Sequence, residues 1–217
     1  MKQFVVIGLG NFGYNVAVRL AQIGHEVMAI DSSEERIDDI KDHVTQAVVA
    51  DSKDKDALAD LVTNAMSAAV VSLGDNIEAS VLCVLYLKEI GVKRIIGKAA
   101  SVDHGKILEA IGTSEVIYPE RDAAVRLAEK LNAPTSVLDY IELSPDYGIV
   151  DVATPDDFVG KTLKMLHLPK EHGVLVIAVR NVLKNDIQIM PSADYKFEPD
   201  SVITVIGKYE NLSKLTL

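Results

Sequence analysis

The sequence predicts the α/β class: a doubly wound parallel sheet followed by a small α+β domain. Three observations carry this. Short β-branched runs alternate with amphipathic stretches up to position 118. A G-x-G-x-x-G pattern follows the first of these runs, in VVIGLGNFG. After Pro134 the helical periodicity fades, strand-like runs succeed one another, and prolines, absent before 119, recur.

Phe4–Ile7 is the first strand, and Phe12–Ile23 the first helix, ended by Gly24. Val27–Ile30 is the second strand, and Asp31, Ser32 and Ser33 supply N-cap chemistry for a helix over Glu34–Asp42. Ala47–Val49, Ala68–Val71, Arg94–Ile96 and Val116–Tyr118 read as further strands. Between them, Lys55–Val62, Ile77–Ile90 and Asp103–Ile111 read as helices, the last two stopped by Gly91 and Gly112. Strand-then-helix repetition at this spacing makes β-α-β units and hence a parallel sheet of six strands. Pro119 then opens a helix that reaches Asn132. Beyond it, Val137–Leu143, Gly148–Val152, Val174–Val179, Ile187–Met190 and Val202–Ile206 read as strands, with Lys161–Leu166 alone helical. The expected organisation is a domain over 1–118, a linking helix over 119–133 and a small domain over 134–217, with no internal repeat.

Composition narrows the function classes. The 217 residues are 48% hydrophobic and 25% charged, ordinary for a globular protein. Net charge is −10, of which −6 lies up to Leu131 and −4 beyond it. Acidity in both parts speaks against nucleic acid or an anionic membrane surface as a partner. Cys83 is the single cysteine, so no disulfide forms within one chain and a reducing cytosol is expected. No basic-then-apolar leader opens the chain, and no apolar run approaches the roughly 20 residues that span a bilayer.

The glycine motif carries chemistry. Gly8 directly follows a strand and permits a tight turn. Gly10, lacking a Cβ, lets a pyrophosphate approach the backbone, and Gly13 lets the helix pack close to the sheet. The helix N-terminus, at Asn11 and Phe12, then offers N–H groups and partial positive charge to phosphates. Asp31 ends the second strand, where a carboxylate accepts from ribose hydroxyls and repels a 2′-phosphate, so NADP is expected to bind poorly. The alternative is a structural glycine turn with Asp31 as a helix cap. The pattern in this setting is that of a Rossmann-like nucleotide-binding domain.

The whole chain resembles the RCK family (regulators of K+ conductance), among them the soluble subunits of Ktr- and Trk-type potassium uptake systems. FVVIGLGNFGYNVAVRLAQIGHEVMAID, LGDNIEASVLCVLYLKEIGVKRIIGKA and VIYPERDAAVRLAEKL resemble the N-terminal module of that family. DDFVGKTLKMLHLPKEHGVLVIAVRN through IMPSADYKFEPDSVITVIG resembles its C-terminal module. The resemblance implies a subunit that binds an adenine nucleotide, NAD(H) or ADP/ATP, and gates a membrane partner. That partner would be an integral-membrane K+ transporter or channel subunit. The chain would pair with itself and form an octameric ring, cytoplasmic and peripheral at the inner face of the membrane.

Carried over residue by residue, Gly8, Gly10, Asn11, Phe12 and Gly13 match the phosphate loop and Asp31, with Ser32, the ribose end. Asp51 and Ser52 match the place where the adenine edge is read; a cap for the following helix is their alternative. Gly74 and Asn76 lie past the fourth strand on the cleft side. Lys98 matches a lysine able to approach phosphate or ribose, against a merely solvated lysine. Glu120 matches an acid near the nucleotide and the dimer interface, against an ordinary first-turn acid. Many Ktr-type subunits carry arginine where this chain has Asn11, which weakens discrimination of ATP from ADP and favours NAD(H) or a diphosphate.

Catalytic equipment is sparse. His25, His43, His104, His167 and His172 show no metal-ligand spacing and read as surface or capping residues. DSKDKDALAD reads as a solvated helix face, and Cys83 as a small buried hydrophobe. Binding without turnover is therefore expected; an NAD-dependent oxidoreductase is the alternative, and a nucleotide-dependent repressor fits the acidity poorly. Ile77–Ile90 is apolar nearly all round, which predicts burial on two sides, one of them against another subunit or the chain's own C-terminal segment. Under the resemblance, Leu166–Ile177 would line a cyclic di-AMP pocket between two copies. Pro169 stands where some relatives have arginine, though, and an interface without ligand is the default.

Overall fold

The computed structural model describes residues 1–74, 76–132, 137–144, 146–184 and 186–215. It divides into two units, Met1–Asp122 and Ala123–Leu217. The domain boundary expected at 133/134 lies outside the described residues.

The first unit runs β1 (Gln3–Ile7), α1 (Asn11–Gln22), β2 (Glu26–Asp31), α2 (Glu34–Ile40), β3 (Gln46–Val49) and α3 (Lys55–Leu61). It continues through β4 (Ala68–Val71), α4 (Ile77–Ile90), β5 (Ile95–Lys98), α5 (Val102–Ile111) and β6 (Glu115–Ile117). The six strands pair in parallel in the order β3-β2-β1-β4-β5-β6. The order reverses at β1, so the connections after β1 and β4 leave in opposite senses and open a crevice at the strand carboxyl ends.

Alternation along β1 explains why helices cover both faces. Val5 and Ile7 belong to one apolar cluster with Leu58, Val84, Leu87 and Leu108 of α3, α4 and α5. Val6 points the other way, into a cluster with Ala17 of α1 and Ile37 and Ile40 of α2. Each is fully buried, and burial of a side chain of this size contributes about 1.5–3 kcal/mol. Ser33 caps α2, Asp54 caps α3, Asn76 caps α4 and Ser101 caps α5. Gly91 and Gly112 close α4 and α5 in the left-handed conformation. On α4, Cys83, Val84 and Leu87 are buried while Ile77 and Leu85 reach the surface of this chain.

A sixth helix, α6 (Pro119–Asn132), starts in the first unit and continues into the second. The second unit is an antiparallel sheet of β7 (Val137–Ser144), β8 (Tyr147–Ala153), β9 (Val174–Asn181), β10 (Asp186–Ile189) and β11 (Ser201–Lys208), in the order β10-β9-β11-β8-β7. Its core gathers Val152, Phe158, Leu168, Phe197, Ile203 and Val205. The helix expected at Lys161–Leu166 is present but shorter, α7 (Leu163–Leu166), and the unit holds two further one-turn helices that were not expected, α8 (Leu168–Glu171) and α9 (Tyr209–Leu212). Thr162 caps α7 through its hydroxyl and also bridges to Lys196, which takes Lys161 and Thr162 out of the helix.

Candidate functional site

The crevice is a cavity of about 630 Å³, within the range of small-molecule sites. Every sequence-predicted site residue except Gly13 lies on its wall. Gly13 packs instead: a Cβ there would collide with the Gly8 carbonyl oxygen, so the residue sets how closely α1 approaches the β1 turn. Gly8 has φ +91°, and a Cβ would strike the Ser72 carbonyl oxygen of the neighbouring strand end. Both glycines are thus demanded by the fold itself.

Gly10 differs. Its backbone is extended, φ −64° and ψ 179°, a conformation open to any residue. Nothing lies within 4 Å of where a Cβ would stand. The protein gives no steric reason of its own for a glycine here, and Gly10 lines the cavity. Gly10 is also the N-cap of α1 and brings no side-chain acceptor, and no acid sits in the first turn. The first N–H groups of a helix have no intrahelical partners, so the positive end of α1 stays uncompensated at the cavity.

Asp31 ends β2 and is 6% exposed. Leu9 N–H donates to its Oδ2 at 2.6 Å and Ser33 N–H to its Oδ1 at 2.9 Å. Arg36, on the first turn of α2, places Nη1 3.3 Å from Oδ2. Asp31 therefore fastens the glycine loop to the end of β2, and of the three expected N-cap candidates, Asp31, Ser32 and Ser33, it is Ser33 that caps α2. Asp51 and Ser52 line the cavity without capping α3; Asp54 caps it, and Asp51 accepts from Lys53 N–H at 2.9 Å. Asn76 both lines the cavity and caps α4, accepting from Ala79 N–H at 3.1 Å.

At the far end of the wall, Lys98 Nζ is 2.5 Å from Glu120 Oε1. Hydrogen bonding from Lys98, reinforced by a backbone N–H, holds the Glu120 carboxyl below the usual glutamate range. Lys98 is largely covered and Glu120 mostly exposed, so the pair closes the rim with the lysine inside. Sequence reading missed Arg36 and Lys53 as wall residues. Arg36 sits in EERIDDI, which reads as a solvated helix surface; only its position one turn after the β2 acid hints at the cavity.

The wall thus combines an uncompensated helix N-terminus, a carboxylate at a strand end and an ammonium opposite. That set suits a phosphorylated nucleoside: loop and helix for the phosphates, Asp31 for the sugar, Lys98 for residual negative charge. Among the described residues no group of three or more His, Cys, Asp or Glu could hold a metal ion, and no helix is long and apolar enough to cross a membrane. His104 is a buried residue rather than a surface one: its Nδ1 accepts from Ala100 N–H at 3.2 Å, just ahead of the α5 N-cap, and burial lowers its pKa.

Residues 4–119 match the TrkA-N domain and residues 148–216 the TrkA-C domain. The chain is 34% identical to the Ktr system potassium uptake protein C of Bacillus subtilis over 213 residues, 98% of this chain and 95% of the relative. It is 32% identical to the Ktr system potassium uptake protein A of the same organism, over the same shares of both chains. Among solved structures it is similar to the GsuK RCK domain, with a TM-score of 0.66 at 17% identity, covering 99% of this chain and 47% of that one. It is similar too to the GsuK channel bound to NAD, with a TM-score of 0.64 at 18% identity, covering 99% and 38%. At these identities the structural likenesses speak for the fold.

Proposed function

The chain belongs to the RCK family, for it pairs a TrkA-N with a TrkA-C domain and is similar over nearly its full length to the Ktr system potassium uptake proteins, and from that premise we propose that it is a cytosolic regulatory subunit. It binds an adenine nucleotide, NAD(H) or ADP/ATP, and gates an integral-membrane K+ transporter or channel subunit through a ring of its own copies.

The observation that carries the nucleotide is Gly10: a glycine whose missing side chain the protein does not need, lining the cavity at an uncapped helix end. The loop from Gly8 to Phe12 would hold phosphates, Asp31 the ribose, and Lys98 a phosphate or ribose oxygen. The relatives' names, Ktr system potassium uptake proteins, support a transport-regulating role over an oxidoreductase. GsuK structures bound to NAD and to ADP support the ligand class. A ligand biases gating only by its differential affinity for two ring geometries, and a coupling of about 1–3 kcal/mol would serve.

Isothermal titration with ATP, ADP, NAD+, NADH and NADP+ tests the site. Binding of at least one, lost in Gly10→Val, is expected; no binding by any of them would remove the proposal. Light scattering tests the ring: a particle several times the 23.5 kDa chain is expected, and a monomer at micromolar concentration would refute it. Hydride transfer from NADH to a small carbonyl compound at enzymic rates would hand the protein to the oxidoreductases.

A further inference from the structure

We infer that Arg36 makes the ribose end of this cavity tolerant of a 2′-phosphate, so that the site accepts both NAD(H) and NADP(H). The inference rests on the nucleotide reading above and departs from what Asp31 alone predicts.

A strand-end carboxylate excludes a 2′-phosphate by repulsion, and a nearby arginine is the ordinary means of accommodating one. Here both stand on the same wall. Arg36 Nη1 lies 3.3 Å from Asp31 Oδ2, so the charge that would repel the phosphate is already countered. Asp31 is also committed elsewhere. Oδ2 takes both Leu9 N–H and Arg36, and Oδ1 takes Ser33 N–H. With about two acceptor sites per oxygen, Oδ1 alone keeps a free one for a sugar hydroxyl. A full two-oxygen grip on an unphosphorylated ribose requires Arg36 to leave Oδ2.

Arg36, by contrast, is under-used. One of its five N–H donors is engaged, and among the described residues the others have no partner. Its side chain is 55% exposed against 6% for Asp31, so it can turn without disturbing the core. Planar guanidinium donors match phosphate oxygens in pairs, which an ammonium cannot do. Arg36 therefore acts in opposite directions on two ligands: it competes with a plain ribose for Asp31 and supplies donors to a 2′-phosphorylated one.

The test is titration of NAD+ and NADP+ into the wild-type chain and into Arg36→Ala, Arg36→Lys and Lys53→Ala, with thermal melting to check folding. In the wild type the two dissociation constants should lie within about tenfold. Arg36→Ala should weaken NADP+ by about tenfold or more while tightening NAD+ a few-fold, the scale of one charge-assisted contact. Arg36→Lys should fall between, and Lys53→Ala, which removes a wall cation that does not touch Asp31, should leave the ratio near the wild type. An unchanged ratio in Arg36→Ala, equal losses in Arg36→Ala and Lys53→Ala, or a wild-type preference for NAD+ beyond about a hundredfold would overturn the inference while leaving the nucleotide site intact. Absence of binding by either ligand and by ADP would instead overturn the nucleotide reading, and this inference with it.

Discussion

The ammonium of Lys98, at the end of β5, rests 2.5 Å from the carboxylate of Glu120, on the first turn of α6. The two ends of the pair differ in what they face. Lys98 is 15% exposed and Glu120 71%. A phosphorylated ligand would therefore compete with Glu120 for a lysine that is already inside the cavity.

Lys98→Ala should weaken ADP or NAD+ by about tenfold, the loss of one charge-assisted contact. Glu120→Gln should tighten the same ligands several-fold, because Lys98 is then free. Titration calorimetry on both variants measures this, and losses of similar size in both would show that the pair acts as a strut and not as a competitor.

The same pair predicts a pH dependence. Lys98 keeps the Glu120 carboxyl below its ordinary value of 4.5, so the folded-state pKa is depressed. Its contribution to stability is present above that ordinary value and is lost as pH falls through the lowered one. Exposure keeps it under about 1 kcal/mol. Melting of wild type against Glu120→Gln from pH 7 to 3 should show a small constant gap that closes below the ordinary glutamate value.

Gly10 and Gly13 should separate binding from folding. Gly13→Ala forces a Cβ into the Gly8 carbonyl and should cost about 1–3 kcal/mol of stability. A Cβ at position 10 has no protein atom within 4 Å, so the melting of Gly10→Val should stay near wild type while nucleotide affinity falls tenfold or more. Chemical denaturation beside titration distinguishes the two, and a Gly10→Val that unfolds would return the motif to a structural turn.

Asp31→Asn should harm both properties at once. An amide can accept at one oxygen only and turns its NH2 toward Leu9 N–H or Ser33 N–H. An unsatisfied buried group costs about 1–3 kcal/mol, read by denaturation, with nucleotide binding lost in the same sample.

Cys83 should be silent. It is fully buried, and burial pushes its thiol up to about 12, so the nucleophilic thiolate is scarce at neutral pH. A disulfide reagent should label it only after unfolding; fast labelling of the native chain would place α4 at the surface.

Much of this was legible because local pattern and packing agree. The period-two alternation of Val5, Val6 and Ile7 between two apolar clusters is visible in the string itself. Gly8, Asp31 and Lys98 converge because parallel strands place their carboxyl ends side by side, so strand-end residues far apart in sequence share one wall. Arg36 escaped notice because helix side chains announce burial, not proximity to a neighbouring strand end. The capping of α3 went to Asp54 because that helix begins at Lys55, and Asp51 is too early to reach its first N–H groups. The one-turn helices of the second unit, Leu163–Leu166 and Leu168–Glu171, are shorter than the repeat by which periodicity recognises a helix.

One carboxylate fastens the turn after β1 and stands where a sugar would be recognised. If the crevice holds a coenzyme as proposed, re-engineering its preference would leave little freedom at position 31, since altering it should unpick the loop before it changes any preference. The adjustable screw is the neighbouring guanidinium, mounted on the outside of its helix, where exchange leaves the scaffold standing.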